Sequence, residues 1–414
     1  MRTAHLSLSL KNMRDRKEIA ASNGILNDFF LAGSQNSGMI RKTVISGSLN
    51  VVRTKFALML AENVCRNGNP VVIVHRSNLV FNEKYRSGTA VYNGEEYVLD
   101  LFGDISENEL ASVLYEAGKS TANLGIEAKT VISIGIEALK KNGDSIDLLT
   151  LCSFPWEMIS AFIFNSRNID VSDKLVLIQR LAPFSEQIPA VAALFTEFKV
   201  HLMEKQCVDV KKISLSKVLQ GGACIVSIDV GTDINDVLAE TLFSLLKLNK
   251  EKGYRFLSVI DSIPASNENS IAFKLYRSTD VQSPVMIVSP DLAQSYAGKL
   301  GLFNDIVGSG TNVVVLAHTS GYSADVWSTY FGEYYAQKEE VSSGNSRENY
   351  RFFSKTSSST VTRSEERRRI ILPEDIIMLD TKMAIVQCGY KDGERGWRYN
   401  VLDLSCLGGN KSGN

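Results

Sequence analysis

Apolar residues recur along this chain in two rhythms. Short, nearly continuous runs rich in β-branched residues occur at 43–47 (TVISG), 70–75 (PVVIVH), 223–228 (ACIVSI), 256–260 (FLSVI), 284–288 (PVMIV) and 312–317 (NVVVLA). Runs of this length without polar alternation predict strands buried on both faces, as in a parallel sheet. Between the first two, Phe56, Leu60 and Val64 stand at i, i+4 and i+8, the spacing of one helix face. Strand, turn, helix and strand in that order predict a βαβ unit. Residues 91–101 (VYNGEEYVLDL) predict a further strand or hairpin.

From about 104 to 205 the helical rhythm takes over. SENELASVLYEAGKS, TVISIGIEALKK, DKLVLIQRLAPF and PAVAALFTEFKVHLMEK carry apolar positions at helical spacing, and Ser106 with Glu109 forms a capping box for the first. The strand signals then return, with a helix over 233–253 closed by Gly253. The pattern predicts an N-terminal segment (1–37), the first part of an α/β domain (38–104), an all-helical insertion (105–205) and the second part of the α/β domain (206–400). Within the last, 336–368 reads as an exposed loop or hairpin rich in Ser, Glu, Lys and Arg, and 401–414 as a flexible tail.

Composition changes this picture little. The chain has 414 residues, 44% hydrophobic and 22% charged, with a net charge of −1, so no overall field draws in nucleic acid. The six cysteines (Cys65, Cys152, Cys207, Cys224, Cys388, Cys406) are scattered with no close pair, as are the four histidines, which argues against a zinc site or a His-centred catalytic group. The N-terminus lacks the apolar core of a signal peptide, and no run of about eighteen apolar residues occurs. The expected location is the cytoplasm, or a peripheral position at the inner face of the cell membrane.

The turn after the first strand is where chemistry is expected. A glycine-rich loop opening into a helix presents backbone N–H groups and a positive dipole end to a phosphate, in the pattern G-x-x-x-x-G-K-[ST]. Here that stretch reads Gly47-Ser48-Leu49-Asn50-Val51-Val52-Arg53-Thr54. The first Gly and the final Thr match, whereas Val52 replaces the second Gly and Arg53 the Lys. A β-branched side chain crowds the close approach of phosphate to backbone, and the planar Arg fork has a different reach from a Lys ammonium. Gly47, Ser48, Asn50, Arg53 and Thr54 are the candidate nucleotide-binding residues.

A second requirement is an acidic strand end. FLSVIDSIPAS (256–266) supplies Asp261, but Ser262 stands where a Glu would activate water. Thr54 and Asp261 are thus the candidate magnesium ligands should nucleotide bind. Asp229, in IVSIDVGTD, is the weaker alternative to Asp261.

With these elements placed, residues 38–395 resemble the VirD4/TraG/TraD coupling proteins of conjugation and type IV secretion. VISGSLNVVRTKFALMLAENVCRNGNPVVIV resembles their Walker A unit, and FLSVIDSIPAS their Walker B strand. LYRSTDVQSPVMIVSPDLAQSYAGKLG (275–301) and RRRIILPEDIIMLDTKMAIVQCGY resemble elements of their C-terminal half. Ser289-Pro290 stands where the family's γ-phosphate-sensing Gln is found. The resemblance implies a RecA-like P-loop NTPase fold with a mainly parallel sheet and an inserted all-α domain, ATP with magnesium as cofactor, and homo- or hetero-oligomers. It also implies partners among conjugation or type IV secretion components, membrane-anchored ones included, with DNA as a substrate. Arg277 matches a family Arg and is the candidate arginine finger.

The departures at Val52, Arg53 and Ser262 favour a pseudo-ATPase with a structural or substrate-docking role. The alternative is an active DNA translocase with a variant loop. A small-molecule enzyme on the same scaffold lacks any His, Cys or carboxylate cluster to support it. Arg363 and Arg367–Arg369 read as finger or DNA contacts, or as a solvated face cancelled by Glu365 and Glu366. Trp156 and Trp327 read as core residues, the latter alternatively at a subunit interface. Tyr330, Phe331, Tyr334 and Tyr335 read as packing residues or a base-stacking cluster.

Overall fold

The computed structural model describes residue 29 and residues 38–122, 124–202, 211–231, 237–264, 270–277, 283–308, 310–346, 356–388 and 398–404. Strand β1 (Thr43–Ser46) leads into helix α1 (Asn50–Arg66), strand β2 (Val71–His75) and the short helix α2 (Leu79–Lys84). The 91–101 segment forms a hairpin, β3 (Thr89–Tyr92) and β4 (Glu95–Asp100). Six α-helices follow with no strand between them among the described residues: α3 (Glu107–Ala122), α4 (Ala128–Asn142), α5 (Leu148–Ser153), α6 (Ile159–Asn165), α7 (Val171–Leu181) and α8 (Ile188–Leu202). The alternation resumes with β5 (Lys212–Ser214), α9 (Leu215–Gly221), β6 (Ile225–Asp229), α10 (Val237–Glu251), β7 (Leu257–Asp261) and α11 (Ile271–Arg277). It continues through β8 (Val285–Ser289), α12 (Leu292–Ser295), α13 (Leu300–Ile306), β9 (Asn312–Val315) and α14 (Gly321–Phe331). A long ribbon of β10 (Glu333–Ser346) and β11 (Thr356–Arg369), then α15 (Pro373–Ile377), β12 (Met383–Cys388) and β13 (Arg398–Asp403), complete the order.

One eleven-stranded sheet runs β13-β12-β9-β1-β8-β7-β2-β6-β3-β4-β5. Its centre, β9-β1-β8-β7-β2-β6, is parallel throughout, and these strands are the β-branched runs of the sequence. They are continuous in apolar residues because helices cover both faces. Alternate residues serve different layers. Val71 and Ile73 of β2 face Phe56, Leu60 and Val64 of α1, while Val72 and Val74 face a larger core that runs on into the six-helix block. Antiparallel partners cap the parallel centre at both ends, β12 against β9 and β3 against β6.

The helical block is built as a packed core. The predicted box at its start is present: Ser106 N–H donates to Glu109 Oε2 at 3.0 Å, and Glu109 N–H to Ser106 Oγ at 3.4 Å. Trp156 stacks on Phe195 with centroids 4.4 Å apart and planes 6° from parallel, and its indole N–H reaches the Leu151 carbonyl at 2.8 Å. Gly135 permits this, since a Cβ there would lie 2.3 Å from the Trp156 ring. Trp156 is thus fully committed inside the block, with no face left for a base. Among the described residues no helix is long and apolar enough to cross a membrane.

Candidate functional site

In an open α/β sheet ligands collect at the carboxyl ends of the strands, where connections diverge to opposite sides. Here β8 lies between β1 and β7, so Gly47 and Asp261 end strands that are one strand apart. The connection from β1 crosses to β2 on the far side of β7, and α1 spans that gap on one face.

The loop itself is short. Only Gly47, Ser48 and Leu49 separate β1 from α1, so Asn50, Val51 and Val52 of the phosphate-loop pattern are already helical. Two of the three loop amides are spent on neighbouring strands: Gly47 N–H donates to the Ser289 carbonyl at 3.2 Å and Ser48 N–H to the Ala317 carbonyl at 3.0 Å. Gly47 is needed for a reason other than phosphate, because a Cβ there would meet Leu316 Cβ at 2.4 Å. The loop therefore hugs β8 and β9 and does not wrap an anion.

Arg53 closes what remains. Its side chain, 3% exposed, folds back so that Nη1 donates to the Gly47 carbonyl at 2.5 Å and Nη2 to Asn50 Oδ1 at 2.9 Å. The fork thus bridges the two ends of the loop, a geometry one Lys ammonium does not reproduce. Burial holds the guanidinium below its ordinary proton affinity, and the nearby Asp261 charge works against that. Its Nε has no hydrogen-bond partner.

Asn78 was not singled out by the sequence. It is the N-cap of α2, its Oδ1 accepting from Val80 N–H at 3.1 Å. That role turns the amide nitrogen inward, where it donates to Asp261 Oδ2 at 2.5 Å, Thr54 Oγ1 at 2.9 Å and Asn50 Oδ1 at 3.3 Å. Thr54 in turn donates to Asn50 Oδ1 at 3.1 Å. An amide donor thus stands between the two oxygens a magnesium ion would need. Thr54 and Asp261 are both 0% exposed. Burial raises the proton affinity of the Asp261 carboxyl, opposed by the Asn78 hydrogen bond, the Arg53 charge and Ser262. Ser262, in place of a catalytic Glu, spends its hydroxyl on Asp261 Oδ1 at 3.0 Å and holds φ at +60°. As they stand, these residues do not fit a magnesium–nucleotide complex: the anion position holds a guanidinium and the cation position a donor.

Two further clusters brace this knot. Asp229 accepts from Ser77 N–H at 2.8 Å, Gly231 N–H at 2.9 Å and Asn82 Nδ2 at 3.0 Å, and so fixes the turn that carries Asn78. Burial alone would raise its proton affinity, but the bonds from Asn82, Gly231 and Ser77 and the neighbouring His75 outweigh it and hold the carboxyl below its ordinary value. The strand register sets Asp229, His75 and Asp261 in one row across β6, β2 and β7, and Asn78 N–H donates to His75 Nδ1 at 3.2 Å.

On the other side, Ser46 Oγ lies 3.3 Å from His318 Nε2, and His318 Nδ1 lies 3.7 Å from Asp291 Oδ2. The residue types are those of a hydrolytic triad. Ser46 is 0% exposed, however, and the flanking Gly47 and Ser48 amides that might hold an oxyanion are already bonded. The cluster ties β1 to the loops after β8 and β9.

Of the predicted site residues, Gly47, Ser48, Asn50, Arg53, Thr54 and Asp261 meet at one sheet edge. Arg277 is at the other. It ends α11 beside Lys42 and Asp305 below the start of β1, half-exposed, with Nε 3.8 Å from Asp305 Oδ2. Burial pushes the Lys42 ammonium down to about 8, with Asp305 pulling upward and Arg277 pushing further down. Arg277 therefore does not reach the loop of its own chain. Trp327 is 0% exposed and packs against Phe303 at 5.0 Å, with Tyr330 and Phe331 around it. Tyr334 and Tyr335 stand in β10 opposite Arg368 and Arg367. Arg369 bonds Asp325 at 2.5 Å, and Arg367 pairs with Glu333 at 2.5 Å.

The fold and this edge define a RecA-like P-loop NTPase fold with its phosphate loop closed. Solved structures of the conjugative coupling protein TrwB are similar to the chain. The complex with the non-hydrolysable ATP analogue ADPNP has a TM-score of 0.54 at 14% identity over 93% of each chain. The unbound monoclinic form of TrwBΔN70 has a TM-score of 0.50 at 12% identity, covering 93% of this chain and 92% of that one. The chain thus shares the fold of this coupling protein. No protein-family model and no curated protein matches the sequence.

Proposed function

We propose that this chain is a coupling-protein-like subunit of a conjugation or type IV secretion apparatus that has given up ATP turnover for a structural or substrate-docking role. The observation carrying this reading is the knot of Arg53, Asn50, Asn78, Thr54 and Asp261, which satisfies internally the groups a phosphate and a magnesium ion would otherwise engage. Its partners on this reading are components of that apparatus, membrane-anchored ones included, and its place is the cytoplasm or a peripheral position at the inner face of the cell membrane.

The test is equilibrium binding of a fluorescent ATP analogue with magnesium, run beside phosphate release. Neither binding nor turnover is expected from the wild type. Combining V52G, R53K and N78A should open the loop and produce measurable binding. Turnover by the wild type that disappears in Asp261→Ala would overturn the proposal and make the chain a working translocase.

A further inference from the structure

The β10–β11 ribbon has fourteen paired rows, from Glu333–Arg369 to Ser346–Thr356, and is hydrogen-bonded to no other strand of the described structure. At about 3.4 Å per residue it is roughly 45 Å long. Its base is anchored by Ile370 N–H to the Gly332 carbonyl at 3.0 Å and by Arg369 to Asp325. Beyond the base the sequence is Ser-, Thr- and Glu-rich on both alternating faces, with no apolar face to lay on a core. A two-stranded ribbon is marginal in water, and three or more strands are usually needed for independent stability. Long open edges are normally blunted with charged side chains, proline or bulges; the described strands carry charges only in the rows from Glu333 to Glu340, and neither a proline nor a break in pairing.

We propose that the ribbon is completed by the ribbon of a second copy of this chain, β11 of one pairing antiparallel with β10 of the next. Geometry limits the register. In an antiparallel pair each residue points both its N–H and its C=O to one side, so rows that are not bonded within the ribbon turn outward on both strands together. The outer edge of β11 can therefore meet a neighbour's β10 with the same row partners as inside one chain or shifted by two rows. The unshifted register is the one proposed, since a shift in one direction sets Glu339 opposite Glu365 and the other loses the Glu339–Arg363 pair. Those rows place Glu339 opposite Arg363 and Glu333 opposite Arg369, and none opposes like charges. Such a contact uses different surfaces on the two copies, so it propagates head to tail and can close into a ring.

The experiment uses the full chain. Chains carrying S342C are mixed with chains carrying T360C, and the adjacent row is tested with V341C and V361C, since only one of two neighbouring rows has the shorter non-bonded spacing. Oxidation should give a cross-chain disulfide for one of these mixtures, little for either chain alone, and a loss of that product when S342C is paired with S358C, two positions out of register. Replacing residues 334–368 by a short glycine turn should abolish self-association in sedimentation. A wild type that stays monomeric, crosslinking independent of register, or an oligomer that survives ribbon removal would each overturn the proposal. If the shortened chain does not fold, the register comparison still decides. No nucleotide is involved, so the outcome is independent of the closed phosphate loop.

Discussion

Replacing Arg53 by alanine separates a side chain that waits for a ligand from one that belongs to the folded structure. A phosphate-binding cation facing solvent contributes little to stability, and its removal should change unfolding by no more than about 0.5 kcal/mol. Arg53 is instead buried, with hydrogen bonds of 2.5 Å to the Gly47 carbonyl and 2.9 Å to Asn50. Bonds involving a charged group contribute roughly 1.5–3 kcal/mol each, partly offset here by release of a desolvated charge and an unpartnered Nε. The net expectation for Arg53→Ala is a loss of about 3 kcal/mol. Arg53→Lys, which keeps the charge but not the two-pronged reach, should lose about half of that. Urea unfolding followed by two probes, with the slope checked for constancy, reads these values. An Arg53→Ala variant as stable as the wild type would refute the closed-loop account whatever the nucleotide assays show.

The two acidic strand ends should respond to pH with opposite signs. Asp261 binds its proton more tightly folded than unfolded, so its ionisation weakens the fold. Asp261→Asn should therefore be more stable than the wild type at pH 8, an advantage that shrinks as pH falls through the folded value toward the ordinary carboxylate range. Asp229 binds its proton less tightly folded, so its contribution is present near neutrality and lost in acid, and Asp229→Asn should remove that acid-sensitive part. Lys42, with its ammonium pushed from 10.5 to about 8, costs roughly 3 kcal/mol below pH 8, and Lys42→Met should recover much of this with the gain gone by about pH 10.5. Gly47→Ala should lose about 1–3 kcal/mol through its clash with the Leu316 Cβ, and Leu316→Ala in the same chain, which keeps that Cβ, should not return it.

The parallel strands were legible because burial on both faces leaves mostly β-branched and apolar residues in TVIS, VVIVH, LSVID and NVVV, with the polar ones near the strand ends. Their order was not, since the pairing of β8 between β1 and β7 is decided by packing across more than two hundred residues of chain. The phosphate-loop substitutions were visible as residue types, but not what they do. Nothing in Arg53 announces that its fork turns inward, because that depends on α1 beginning at Asn50 and shortening the loop. Asn78 escaped notice for a related reason. Its capping role is local and readable, standing between a strand and LVFNEK, whereas its reach to Asp261 exists only because β7 lies beside β2. Arg277 was placed by resemblance, and the chain's own geometry sets it at the far edge of the sheet.

Because β8 separates β1 from β7, the loop strand is not paired with the acidic strand, and the gap is crossed by side chains arriving from α1 on one side and the α2 turn on the other. Each of these depends on the rest: Asn50 accepts from Arg53, Thr54 and Asn78 at once, and Asn78 in turn holds Thr54 and Asp261. Energies in such a network are coupled, so a second cut costs less than the first, and pairs of substitutions should fall short of the sum of the singles. The same coupling acts on single changes at the site: Arg53→Lys or Val52→Gly alone would leave the remaining members still bonded to one another, so the loop behaves as a latch that several substitutions must release together.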